Sequence, residues 1–235
     1  MKLDVYFGDL HITDLVSLAQ NIYLYPDESY TLLLSQEFQN ALKEEEPFLY
    51  PQFLSCLNIP EDDVFLFKVS YLFCPYMTFR YQGYKFDDLK ELGEKILLFG
   101  PNIDVYLEDI LKYKLLSFYF KIQKKDVENN LLFNKIIELE NLYIENPAFA
   151  YFTLGFKLSE IPVIIYKGRP FVTPQSFFEY VTNDVNITEF ATNFEKDQYV
   201  FAWLTYLGYK DKLNEYHALV KLISEKESLK HDSGR

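Results

Sequence analysis

The sequence predicts an α+β protein, predominantly helical, made of tandem divergent modules in which a short β-hairpin precedes about three to four helices. Three observations carry this expectation: an internal echo at one fixed offset, a strand-turn-strand pattern at the heart of each copy, and helical apolar stripes after it. Tyr81-Gln82-Gly83-Tyr84-Lys85-Phe86 recurs as Tyr166-Lys167-Gly168-Arg169-Pro170-Phe171, 85 positions on (83 and 168). At the same offset Phe67 meets Phe152, Glu94 meets Glu179, and Lys125-Asp126 with Asn129 meets Lys210-Asp211 with Asn214. Apolar character also tracks, with Leu115 facing Val200, Leu116 facing Phe201 and Phe118 facing Trp203. A period this long exceeds that of solenoid repeats and indicates small modules in tandem.

Each element follows from local chemistry. Met77 to Tyr81 is rich in strand formers, Gln82-Gly83 signals a turn, and Tyr84-Lys85-Phe86 resumes the strand. Gly83 and Gly168 take the turn position that needs positive φ. In the later copy Val163 to Tyr166 supplies the first strand, and Pro170 suits the edge position of the return. Phe86 and Phe171 then point into the module core. Asp87-Asp88 and Thr173-Pro174 are helix-start chemistry: an oxygen acceptor for free N–H groups, and proline in the first turn. Leu89, Leu92, Ile96 and Leu97 form a stripe at helical spacing, as do Phe177, Phe178 and Val181. Gly100-Pro101 and Asn183-Asp184 end these helices. Longer helices are expected over about 103–121 and 187–206, and a third starts near Asp126 and Asp211 with the aspartate as N-cap. The helix before each hairpin repeats as well, Glu61 to Phe73 matching Asn146 to Leu158.

The first third reads as a shorter third copy. Val5-Tyr6-Phe7-Gly8 echoes strand and turn, and Ile12-Thr13-Asp14-Leu15 with Leu18, Ala19 and Ile22 echoes Phe86-Asp87-Asp88-Leu89 with Leu92, Gly93 and Ile96. Tyr30 to Leu42 is its second helix and Pro47 to Leu57 a curtailed third. Cutting before each hairpin gives modules of 1–75, 76–160 and 161–235, the last with a disordered polar tail from about 230. A unit of about 80 residues is marginal alone, so the modules are expected to pack into one compact body.

Composition narrows the function. Of the whole chain 49% is apolar and 18% aromatic, which provides for real cores. The 22 phenylalanines and 20 tyrosines either fill those cores or supply an aromatic contact surface. A formal charge of −12 opposes direct binding to nucleic acid or an anionic membrane, because phosphate neutralisation needs clustered bases. It suits a basic partner, or simply solubility. Glu44-Glu45-Glu46 and Glu61-Asp62-Asp63 are the densest acidic runs. Cys56 and Cys74 form neither a metal-ligand spacing nor a disulfide framework, which suits small core residues in a reducing compartment. The start Met1-Lys2-Leu3-Asp4 has no signal-peptide character, and the longest apolar stretch, Val64 to Met77, is interrupted by Lys68 and Pro75. A cytoplasmic protein is expected.

Catalytic, cofactor and metal residues are not nominated by any motif. His11, His217 and His231 stand outside ligand spacings. The glycines do not form a P-loop or dinucleotide fingerprint, and no serine elbow is present. Glu138 with Glu140, and Glu108 with Asp109, are too close in sequence to share a helix face. Arg80 and Arg169 flank the turns without forming a phosphate site. Trp203, the sole tryptophan, reads either as a core anchor or as an interaction anchor. Tyr81, Gly83, Phe86, Tyr166, Gly168 and Phe171 are the structural repeat positions. The expected function is a non-catalytic protein-interaction or regulatory module whose acidic, tyrosine-bearing surface binds a protein partner. An inhibitor, immunity-type or DNA-mimic protein is a special case, and an enzyme with a site between modules is the competing class.

Overall fold

The computed structural model describes residues 1–99, 105–123, 130–181 and 198–209. Among these lie three antiparallel hairpins and twelve helices. Hairpin one pairs β1 (Lys2–Phe7) with β2 (Leu10–Asp14), hairpin two pairs β3 (Arg80–Tyr81) with β4 (Tyr84–Lys85), and hairpin three pairs β5 (Ile164–Tyr166) with β6 (Arg169–Phe171). A helix follows each: α1 (Leu15–Asn21), α6 (Leu89–Phe99) and α11 (Pro174–Val181). Between the first two hairpins run α2 (Pro26–Leu34), α3 (Gln36–Glu45), α4 (Tyr50–Cys56) and α5 (Asp62–Phe73). After α6 come α7 (Val105–Lys112), α8 (Leu115–Ile122), α9 (Leu131–Leu142) and α10 (Pro147–Ser159), and α12 (Gln198–Tyr206) comes last. The protein is therefore a mostly helical α+β fold.

Turn chemistry sets the hairpins. Gln82 and Gly83 have φ of 46° and 81°, Lys167 and Gly168 have 49° and 75°, so both loops put two consecutive residues in the left-handed region. That is the two-residue turn whose twist matches paired strands, and glycine relieves the second position. Hairpin one has a two-residue loop too, but its glycine, Gly8, comes first in it, at φ 57°. Phe86 and Phe171, expected to face the core, are buried, and so are Tyr81 and Tyr166.

Several helix limits differ from the sequence expectation, each for a local reason. The stretch expected as one helix over 30–42 is split by Ser35, which turns extended and accepts the Phe38 N–H at 3.2 Å to start α3 afresh. The long helix expected over 103–121 is broken between α7 and α8, where Lys114 sits at φ 56°. α11 begins as expected, with Thr173 Oγ1 accepting the Ser176 N–H at 3.3 Å. The proposed starts at Asp126 and Asp211, the stop at Asn183-Asp184, residues 187–197 of the last long helix and the tail from 230 lie outside the described residues.

The chain divides into two compact units, residues 1–88 with 109–137 and residues 89–108 with 138–235. This grouping differs from the cut before each hairpin, because the helix after one hairpin packs on the helix before the next. In the first unit α1 lies against α5, and hairpin two and α8 complete the core; in the second, α6 lies against α10. Phe53, Phe65, Phe67, Tyr71 and Phe79 are fully buried in the first unit, and Tyr151, Phe156, Phe177, Tyr199 and Trp203 in the second. The crossing of α6 and α10 places two glycines at the contact, Gly93 and Gly155. A Cβ added to Gly93 would stand 2.8 Å from the Gly155 carbonyl oxygen, and one added to Gly155 would stand 2.7 Å from Ile96 Cγ2. Only glycines permit that approach.

Two polar contacts recur at the 85-residue offset with changed chemistry. Tyr113 Oη donates to Glu61 Oε1 at 2.9 Å in the first unit, and Asn146 Nδ2 donates to Gln198 Oε1 at 3.1 Å in the second. Likewise the outward N–H of the first hairpin strand meets a tyrosine hydroxyl in both: Arg80 N donates to Tyr71 Oη at 2.7 Å, Ile165 N to Tyr199 Oη at 3.2 Å. The tyrosines come from different helices, α5 and α12, yet each occupies the site where a further strand would pair.

Candidate functional site

The first unit carries a polar face built around the start of α5. Glu61 is the N-cap residue in extended backbone, and Asp62 and Asp63 fill the first turn. Carboxylates there are favoured by the positive end of the helix dipole, which accounts for the acidic run locally. What surrounds them is distinctive: each carboxylate has a neutral donor beside it. Tyr113 donates to Glu61, Gln82 Nε2 donates to Asp63 Oδ2, and Tyr81 Oη donates to Asp109 Oδ2 at 3.4 Å. Asp62 stands beside the Tyr30 hydroxyl and holds its pKa above that of a free phenol. Residues from four regions, α2, α5, hairpin two and the α7–α8 corner, thus meet around these carboxylates.

Two buried tyrosines of the first unit have raised phenol pKa values. Burial, followed by the Asp109 and Asp63 charges, raises the Tyr81 phenol far above its ordinary range. Burial and neighbouring Tyr71 do the same for Tyr23. Both phenols stay neutral at physiological pH, so Tyr81 donates to Asp109 without exchanging a proton with it. Lys112 is exposed and sits 4.0 Å from Asp109 with its ammonium over the Tyr113 ring at 4.7 Å. Glu61, Asp62, Asp63 and Asp109 thus give this face four carboxylates, with Lys112 beside Asp109.

The second unit has a shallow groove of about 160 Å³. Leu97, Leu98, Ile161, Val163 and Ile165 line it together with buried Tyr199 and exposed Glu94. Leu98 is 67% exposed and Ile165 41%, so part of the groove's apolar lining faces solvent.

The other residues singled out from sequence are placed as follows. Trp203 has no exposed surface, donates from Nε1 to the Pro162 carbonyl at 2.8 Å and meets Phe177 edge-on at 5.8 Å. Its contacts are those of a core anchor. His11 bonds Asp4 at 2.8 Å and stacks on Tyr6 at 4.4 Å, on the open face of hairpin one and outside any pocket described here. His217 and His231 lie outside the described residues. Glu46 takes the Met1 amino group at 2.6 Å, which engages one end of the other acidic run. Cys56 and Cys74 are buried and unpaired. Arg169 lies over the Tyr180 ring at 5.2 Å, while Arg80 is half-buried and reaches the Gln20 carbonyl with Nη1 at 3.2 Å. Among the described residues no helix is long and apolar enough to cross a membrane, and no cluster of three or more His, Cys, Asp or Glu is placed to hold a metal ion.

The acidic run was legible in sequence as charge, but its partners were not. Tyr30, Tyr81, Gln82, Asp109 and Tyr113 are far from it in the chain and carry no shared motif. Searches of family models, curated proteins and solved structures return no match to this chain.

Proposed function

We propose that this protein is a non-catalytic interaction or regulatory module, acting inside the cell, whose acidic and tyrosine-lined face binds a basic protein partner. The observation that carries this reading is the pairing of Glu61, Asp62 and Asp63 with neutral donors. Phenol and amide donors hold a carboxylate in place while leaving its charge intact, whereas lysine or arginine partners would cancel it. A fixed negative face with aromatic edges favours lysine- and arginine-bearing surfaces, both for encounter and for contact. The net charge of −12 acts in the same direction.

Affinity capture from the native host with the wild type and Asp62→Lys side by side tests this. Asp62 is exposed and its replacement leaves the Glu61 and Asp63 hydrogen bonds in place. The expected result is one basic protein recovered by the wild type and depleted with the variant. Recovery of the same protein by both baits contradicts the proposed face. A partner that binds DNA, and that DNA displaces from the bait, would identify the DNA-mimic case.

A further inference from the structure

We infer that the groove of the second unit is a receptor for an arginine side chain of a partner protein, with Glu94 as the guanidinium acceptor. The first unit supplies the reason, because there the corresponding place holds an arginine of this chain. Arg80 and Ile165 occupy the same hairpin position: each is in the first strand, one residue before the tyrosine that flanks the loop. Each also has its backbone N–H bonded to a tyrosine hydroxyl. Gln20 and Glu94 occupy the same place on the helix packed alongside, the sixth residue of α1 and of α6. In the first unit the Arg80 side chain spans that gap and donates from Nη1 to the Gln20 carbonyl.

Two substitutions change the gap in the second unit. Ile165 is too short to cross it and carries no donor, so the space opens as the groove. The acceptor changes too. Gln20 lies in the last turn of α1, where carbonyls lack helical partners, whereas α6 runs on to Phe99 and Glu94 sits within its interior. The acceptor left is the Glu94 side chain, a carboxylate that suits a guanidinium better than a carbonyl does. The walls Leu97, Val163 and Ile165 fit the aliphatic stem of an arginine, which packs on apolar surface while its head stays polar. Lys90 lies 3.9 Å from Glu94 as an exposed pair on the same helix, weak enough for an incoming cation to replace. This inference deepens the proposed reading, since it assigns a second point of contact to a basic partner.

The test is a titration of the full chain, followed by methyl and amide NMR, with N-acetylarginine methylamide and its lysine and norleucine counterparts. Arginine is expected to shift the Leu97, Leu98 and Ile165 methyls at lower concentration than lysine, with norleucine weakest. Glu94→Gln, which preserves shape, is expected to weaken the arginine response on the order of tenfold. Ile165→Arg is expected to abolish it, by occupying the groove as Arg80 does, with the melting temperature and circular dichroism retained. If that variant does not fold, Glu94→Gln decides alone. Equal response to norleucine, or indifference to Glu94→Gln, overturns the inference. Unmoved groove methyls with shifts at Glu61 to Asp63 also overturn it, and leave the acidic-face reading intact. Groove shifts together with partner capture indifferent to Asp62→Lys support the groove and contradict the face.

Discussion

Asp14 shows how much one side chain settles. It ends β2, turns extended, and accepts the Ser17 N–H at 2.7 Å, while Ser17 Oγ accepts the Asp14 N–H at 3.1 Å. α1 has only seven residues and depends on this reciprocal cap. The Ser17 backbone bond lowers the Asp14 carboxyl pKa below 3.8, against a smaller opposing effect of burial. A folded pKa below the unfolded one means the stabilisation is full above the unfolded value and fades as pH falls through the folded one. Asp14→Ala is therefore expected to cost about 1 kcal/mol at neutral pH. Urea melts of both proteins should show the difference shrinking below pH ~3.8. The capping role of Asp14 was legible because aspartate directly before an apolar stripe is a helix-start signal. So was the turn role of Gly83 and Gly168. The half-buried position of Arg80 was not legible, since its acceptor lies 60 positions earlier in the chain.

At the level of elements, the crossing of α6 and α10 brings two glycine backbones close together. Gly93 reads in sequence only as a small residue on an apolar stripe, and its counterpart in α1 is alanine. The structure gives it a stricter role, because an added Cβ would press on the backbone of Ser159 and Gly155, which cannot rotate away. Gly93→Ala gains about 1 kcal/mol in helix propensity. The helices must nonetheless separate to admit the methyl, and overpacking of this kind costs about 1–3 kcal/mol. A lower melting temperature is the expected outcome; an unchanged or raised one would show that the helices shift without loss. Hairpins and their following helices were legible because turn and cap chemistry is local. The breaks at Ser35 and Lys114 were not, because the apolar periodicity runs through both.

For the whole molecule, the echo at 85 residues and the compact units describe different things. Sequence similarity marks units of chain, whereas packing joins the helix after one hairpin to the helix before the next. We propose that the chain arose by duplication, a reading supported by hydrogen bonds at offset positions, Glu61 with Tyr113 and Asn146 with Gln198. On that reading function lies where the copies differ. The positions that answer to Glu61 and Gln82 are Asn146 and Lys167, so the acidic cluster of the first unit is not repeated at these positions. Arg80 is answered by Ile165, so the second unit keeps an open groove. Neither contrast is visible as a motif, which is why the sequence pointed to charge and repetition without locating a site. The central claim is that the acidic face is the binding surface. Amide hydrogen exchange of the protein, alone and with its captured partner, tests it most directly. The account predicts slower exchange on binding at residues 62–65, 80–85 and 109–113; unchanged exchange in all three segments, with protection elsewhere, would contradict it.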